Sequence, residues 1–116
     1  MQRSRSVVSL FKEIVGESKD YYRREKMLRI AVVEDHPRMQ RVVCGYIEKA
    51  KEEFPEIQTR TYCCGEDFLQ VKERYDILIL DIDLPGISGI ELGHRLRKNG
   101  DDTAVVFLTA YPQYAA

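Results

Sequence analysis

Residues 76–89 read DILILDIDLPGISG. Four apolar residues, Ile77 to Leu80, run without polar interruption into Asp81, and Leu84-Pro85-Gly86 turns the chain soon after. A short continuous apolar run closed by turn residues suits a strand buried on both faces, as in a parallel sheet. Such a strand delivers Asp81 to its carboxyl end, where open α/β sheets bind ligands. A lone carboxylate is costly to bury, so one exposed at a strand tip is either solvated or chemically employed.

Upstream, Ile30 to Val33 is a second apolar run, rich in β-branched residues, and it ends in Glu34-Asp35. His36-Pro37 follows, with Pro fitted to the first turn of a helix. Met39, Val42, Val43, Tyr46, Ile47 and Ala50 then repeat at helical spacing. Past Phe54-Pro55, Ile57 to Cys63 predicts a strand with some alternation, suited to a sheet edge. Gly65 breaks it, and a short helix is expected over 66–74 with Phe68, Leu69 and Val71 as its buried side. Downstream, Ser88-Gly89-Ile90-Glu91 is a capping box that starts a helix through about Lys98. Asn99-Gly100 supplies the stop, and Ala104 to Leu108 predicts a fourth strand leading into Thr109-Ala110. Strands alternating with helices imply right-handed crossovers, hence an α/β fold with a doubly wound parallel sheet of order 2-1-3-4.

The length of 116 residues suits one small domain, and a net charge of -1 gives no general attraction to nucleic acid. The charge is unevenly spread: residues 1–26 carry seven Lys or Arg against four Asp or Glu, and the remainder eleven against fifteen. Val7, Leu10, Phe11, Ile14 and Val15 fall on one helical face, so residues 1–26 form a helical extension or a poorly ordered leader to a domain over 27–116. Three cysteines, Cys44, Cys63 and Cys64, are expected as small buried or half-buried side chains. With no apolar stretch near 18 residues and no signal-peptide pattern, a reducing cytoplasm is the expected compartment and no membrane partner is expected.

In a sheet of this order the carboxyl ends of strands one, three and four are neighbours. They carry Glu34-Asp35, Asp81 and Thr109. Carboxylates converging on one pocket raise one another's pKa unless a cation holds them, and a hard divalent ion such as Mg²⁺ suits such ligands together with a phosphate oxygen. Neutralised in this way, Asp81 can meet a phosphoryl group as nucleophile, with the Thr109 hydroxyl bonding a phosphoryl oxygen.

Glu34-Asp35 after the first strand, Asp81 within LILDIDLPGISGIEL and Thr109-Ala110 after VVFL together resemble the receiver domain of bacterial two-component response regulators. DIDLPG and the ending FLTAYPQYAA look most like receivers that precede a LytTR-type DNA-binding domain. The resemblance implies a flavodoxin-like fold and a phosphoacceptor that takes part in its own phosphotransfer, not a turnover enzyme. Asp81 would take a phosphoryl group from a sensor histidine kinase. Glu34, Asp35, Asp81 and the backbone carbonyl of Asp83 would hold Mg²⁺, and Thr109 would bind the phosphoryl group beside small Ala110. The output would be regulatory, through transcription, with no direct nucleic acid binding by this chain. The chain ends before the family's fifth strand, its lysine and its aromatic switch residue, so neither role is carried onto any residue here. That ending would leave strand four as an apolar edge, open to pairing with a second copy or to cover by the N-terminal helix.

Two rival readings remain open in the sequence. Asp81-Ile82-Asp83 also looks like the DxD of haloacid-dehalogenase-type phosphatases, in which Asp83 would be an acid/base. Against this, the motif lies on the third strand and continues Leu84-Pro85. The other rival is an interaction module, a receiver remnant that works without phosphorylation. His36 is expected as a solvated helix-start residue, His94 as a surface residue, and Tyr111 and Tyr114 as packing or interface residues.

Overall fold

The computed structural model describes residues 27–108. In chain order the elements are β1 (Leu28–Val33), α1 (Pro37–Ala50), β2 (Ile57–Tyr62), α2 (Gly65–Gln70), β3 (Ile77–Asp81), α3 (Gly89–Lys98) and β4 (Ala104–Leu108). The four strands form one parallel sheet of order β2-β1-β3-β4. The expected topology is therefore met.

The apolar runs form β1 and β3 because those strands lie inside the sheet and are covered on both faces. All five residues of β3 are buried, as are five of the six in β1. Along them, alternate side chains enter two separate cores. Leu28, Ile30, Val32, Ile77 and Ile79 pack with Val43, Ile47 and Ala50 of α1. Ala31, Val33, Leu78 and Leu80 pack on the other face with Phe68 of α2 and Leu92 and Leu96 of α3. One helix on one face and two on the other is the doubly wound arrangement.

Local signals account for three of the helix ends. Pro37 opens α1, and the Ser88 hydroxyl accepts the Glu91 N–H at 3.1 Å to cap α3. The capping box is only half used, because the Glu91 carboxylate pairs instead with Arg95 one turn on, at 3.1 Å. Gly100, with φ of 78°, ends α3 in the left-handed conformation that glycine tolerates.

Several expectations need correction. α2 stops at Gln70 and not near Arg74, because Val71 is already extended and the chain turns toward β3. The stripe on α1 is narrower than its periodicity implies: Val43, Ile47 and Ala50 are buried, whereas Val42 and Tyr46 are 45% and 54% exposed. β1 begins two residues earlier than Ile30, and β2 ends at Tyr62, one residue before Cys63. Cys63 is exposed, unlike the half-buried Cys44 and Cys64. The N-terminal extension, Tyr111 and Tyr114 lie outside the described residues. Among the described residues, no helix is long and apolar enough to cross a membrane.

Beside β2, the buried hydroxyls of Tyr62 and Tyr75 share a hydrogen bond of 2.6 Å. Burial pushes the Tyr75 phenol well above its ordinary range, and the Tyr62 hydroxyl adds to that shift. Each hydroxyl is thus the other's compensation for leaving water. Tyr62→Phe is expected to cost about 1–3 kcal/mol, since it strands a buried polar group, whereas Tyr62→Phe with Tyr75→Phe should cost much less. Urea unfolding of the two variants checks this.

Candidate functional site

Parallel pairing brings Val33 opposite Leu80, so Glu34 and Asp81 leave the sheet side by side at its carboxyl end. Carboxylate oxygens of Glu34, Asp35 and Asp81 all lie within 4.8 Å of one another. Glu34 is 3% exposed and Asp81 8%, while Asp35 is open to solvent. Burial of Asp81 corrects the expectation of an exposed strand tip: the acid is the last residue of β3 and is still covered. The three acids, with His36, Arg38, Met39 and Asp83, line a cleft of about 350 Å³.

Each acid is fixed by its neighbours. The Glu34 carboxylate accepts the His36 backbone N–H at 3.1 Å, and its backbone carbonyl accepts the Gln40 side-chain amide at 2.5 Å. Asp81 Oδ1 accepts the Asp83 backbone N–H at 3.1 Å. Burial pushes Glu34 up to about 7, helped by the adjacent Asp81 and Asp35 carboxylates and opposed by the His36 N–H. A carboxylate raised in this way marks a place where negative charge is undercompensated.

That deficit, and an all-oxygen donor set, fit a hard divalent cation. Glu34, Asp35 and Asp81 are the residues that could hold one. Among the described residues, no other group of three or more His, Cys, Asp or Glu side chains could do so. A wider cleft, about 470 Å³, opens at the opposite end of the sheet between Met27, Arg29, Asp76 and Thr103. Asp76 there accepts the Arg29 backbone N–H at 2.8 Å, and Arg29 pairs with Glu73 at 2.8 Å, so these charges serve the fold.

The loop after β3 is held close by α3. The Gly89 N–H donates to the Ile82 carbonyl at 3.0 Å, and a Cβ on Gly89 would stand 2.1 Å from the Asp81 carbonyl oxygen. Glycine is therefore required where the helix meets the strand end. Gly86, with φ of 71°, makes the turn between Asp83 and the helix.

Of the residues singled out in the sequence, Glu34, Asp35 and Asp81 converge, and Asp83 lines the same cleft. Thr109 and Ala110 lie outside the described residues; Leu108, which precedes them, pairs in register with Asp81. His36 has an exposed side chain at the helix start as expected, yet its backbone contributes to the site. Arg38, Met39 and Gln40 were not anticipated as site residues. Their positions in the first turn after an acid-bearing strand were the available signal.

These features define a doubly wound domain with an acid cluster at its switch point, and the chain belongs to the response regulator receiver domain family, whose profile matches residues 30–116. It is a receiver domain of phosphorelay signalling, and homologues are two-component regulators. Receiver domains generally are not turnover enzymes; they interact with histidine kinases and often dimerise. The chain is 34% identical over 89 residues to the sensory transduction protein LytT of Bacillus subtilis, covering 77% of this chain and 36% of that protein. It is 45% identical over 42 residues to the transcriptional regulatory protein LytR of Staphylococcus aureus, covering 36% and 17%. Among solved structures, the response regulator TrrA of Thermotoga maritima in complex with Mg²⁺-BeF is 38% identical, with a TM-score of 0.59 over 76% of this chain and 74% of that one. The BeF3-activated receiver domain of DrrB is 29% identical, with a TM-score of 0.62 over 73% and 68%. The chain thus spans about a third of the length of LytT.

Proposed function

We propose that Asp81 is the phosphoryl acceptor of this receiver, working with Mg²⁺ held by Glu34, Asp35, Asp81 and the Asp83 backbone carbonyl. The observation that carries this reading is the convergence of three carboxylates within 4.8 Å at the ends of two adjacent strands. When bound, Mg²⁺ neutralises charge on both the acceptor and the incoming phosphoryl group. The Asp83 N–H holds Asp81 Oδ1, which leaves the other oxygen to form the bond to phosphorus as the bond to the donor's leaving group breaks. The Thr109 hydroxyl bonds a phosphoryl oxygen. Among relatives, TrrA in complex with Mg²⁺-BeF supports the pairing of this metal with this fold.

The donor is a sensor histidine kinase in the cytoplasm. Residues 27–116 act as the receiver, with residues 1–26 as an N-terminal extension. The name of the transcriptional regulatory protein LytR supports an output in transcription, exerted through parts of the protein beyond this domain. Phe107 on β4, 44% open to solvent, or the N-terminal extension, offers a surface for a second copy. Incubation with Mg²⁺ and acetyl phosphate tests the central claim, with the mass gain of one phosphoryl group as readout. Folded protein that gains none would leave an interaction module.

The raised Glu34 group gives a second test. Its value is about 7 in the folded, metal-free domain against an ordinary 4.5, so between these values the folded state binds more protons than the unfolded one. Stability from this group is therefore complete below about pH 4.5 and is lost as pH rises through about 7. Thermal melts without metal should show this loss between pH 5 and about 8, and saturating Mg²⁺ should reduce it by binding the ionised form. A metal-free melting temperature that rises through this window would contradict the account of Glu34.

A further inference from the structure

The loop that carries Asp83 is also held from α2. Glu66, the second residue of α2, accepts the Ile87 backbone N–H on Oε2 at 3.0 Å. The same oxygen lies so near Gly86 that a Cβ there would stand 2.3 Å from it. One residue back, a Cβ on Gly65 would touch Ile87 and Leu92 at 3.5 Å, so the start of α2 is seated against this loop. Its own backbone N–H and that of Ile87 hold the Glu66 carboxyl below its ordinary range.

We propose that Glu66 is a positioning residue for the acceptor site: by holding Gly86 and Ile87 it fixes the loop that begins at Asp81 and carries Asp83. Beyond the Ile82 N–H, which donates to the Leu108 carbonyl at 3.3 Å, the loop has two anchors. At one end, Gly89 meets the Asp81 and Ile82 carbonyls; at the turn, Glu66 meets Gly86 and Ile87. Between them, the Asp83 backbone N–H donates to Asp81 Oδ1, so the position of this backbone is tied to the acceptor. Releasing the Glu66 anchor frees the turn without touching a ligand. This inference rests on the metal-assisted acceptor reading above.

Three variants of the full chain test it, with Mn²⁺ as the metal probe, its free fraction read by electron paramagnetic resonance, and phosphorylation by acetyl phosphate followed by mass. Glu66→Ala removes the anchor, Glu66→Asp keeps the charge but shortens the reach, and Glu66→Gln loses the charge but keeps an acceptor oxygen. The first two should raise the Mn²⁺ dissociation constant and slow phosphorylation about three- to ten-fold, while Glu66→Gln stays within about twofold of the parent, as expected for loss or retention of one hydrogen bond. Thermal melts should remain close to the parent for all three, since the side chain is exposed. Parental Mn²⁺ binding in Glu66→Ala would overturn the proposal. So would a Glu66→Gln as weak as Glu66→Ala beside a parental Glu66→Asp, because charge alone would then be responsible. If the parent binds Mn²⁺ but is never phosphorylated, the acceptor reading fails while the Mn²⁺ comparison still judges Glu66.

Discussion

Asp81→Asn is expected to take up no phosphoryl group from acetyl phosphate and Mg²⁺, whereas the parent should gain an acid-stable, base-labile mass that matches one such group. The amide has nearly the shape of the carboxylate, and its oxygen can still accept the Asp83 N–H that now reaches Asp81 at 3.1 Å. What it lacks is the anionic oxygen that must bond to phosphorus. Loss is expected to be complete, with folding intact. One secondary effect separates this from simple damage: the Asp81 carboxylate is among the causes that push Glu34 up to about 7. Removing it should bring Glu34 back toward its ordinary value, so the metal-free variant should melt no lower than the parent at pH 8. A mass gain that persists in Asp81→Asn would place the acceptor elsewhere.

The second large effect is structural. Gly89→Ala would set a methyl group 2.1 Å from the Asp81 carbonyl oxygen, 2.9 Å from its carbon and 3.0 Å from Ile82 Cα. All three are backbone atoms of the strand end, so no flexible side chain can give way. α3 would have to retreat from β3, breaking the bond from Gly89 N–H to the Ile82 carbonyl. The cost should reach about 3 kcal/mol, at the upper end for overpacking, against a total of roughly 5–15 kcal/mol for a small domain. Gly93→Ala is the control, because its Cβ would meet only Phe107 at 3.4 Å. Urea unfolding should show a large loss for the first and almost none for the second. Equal midpoints would show that the helix start can shift at little cost.

Residues covered on two faces were the most legible. Ile30 to Val33 and Ile77 to Leu80 read as interior strands because a doubly buried strand has no polar side to confuse the pattern. The acids after them were visible as strand-end residues, and the sheet order then placed Glu34, Asp35 and Asp81 together. Periodicity misled on α1, since Val42 and Tyr46 fit a helical stripe yet stand outside the contact that one sheet face can make with one helix. The end of α2 was overrun for want of a stop residue between Gln70 and Asp76. Nothing local announced the bonds that depend on tertiary approach, such as Glu66 to Ile87 or Arg29 to Glu73, separated by 21 and 44 residues. The depth of Glu34 and Asp81 was equally hidden, because burial of a strand-end acid depends on which loops close over it.

The order β2-β1-β3-β4 puts every described member of the acid cluster on or directly after the two central strands. Local opening of a small α/β domain starts at its margins, where backbone bonds are fewest and packing thinnest. Transient fraying of β2 or β4, the outer strands among the described residues, therefore leaves the relative position of Glu34 and Asp81 to the β1–β3 ladder alone. Sequence drift at either margin, and remodelling of what lies beyond β4, can alter partners and stability while the geometry of the acids stays the same.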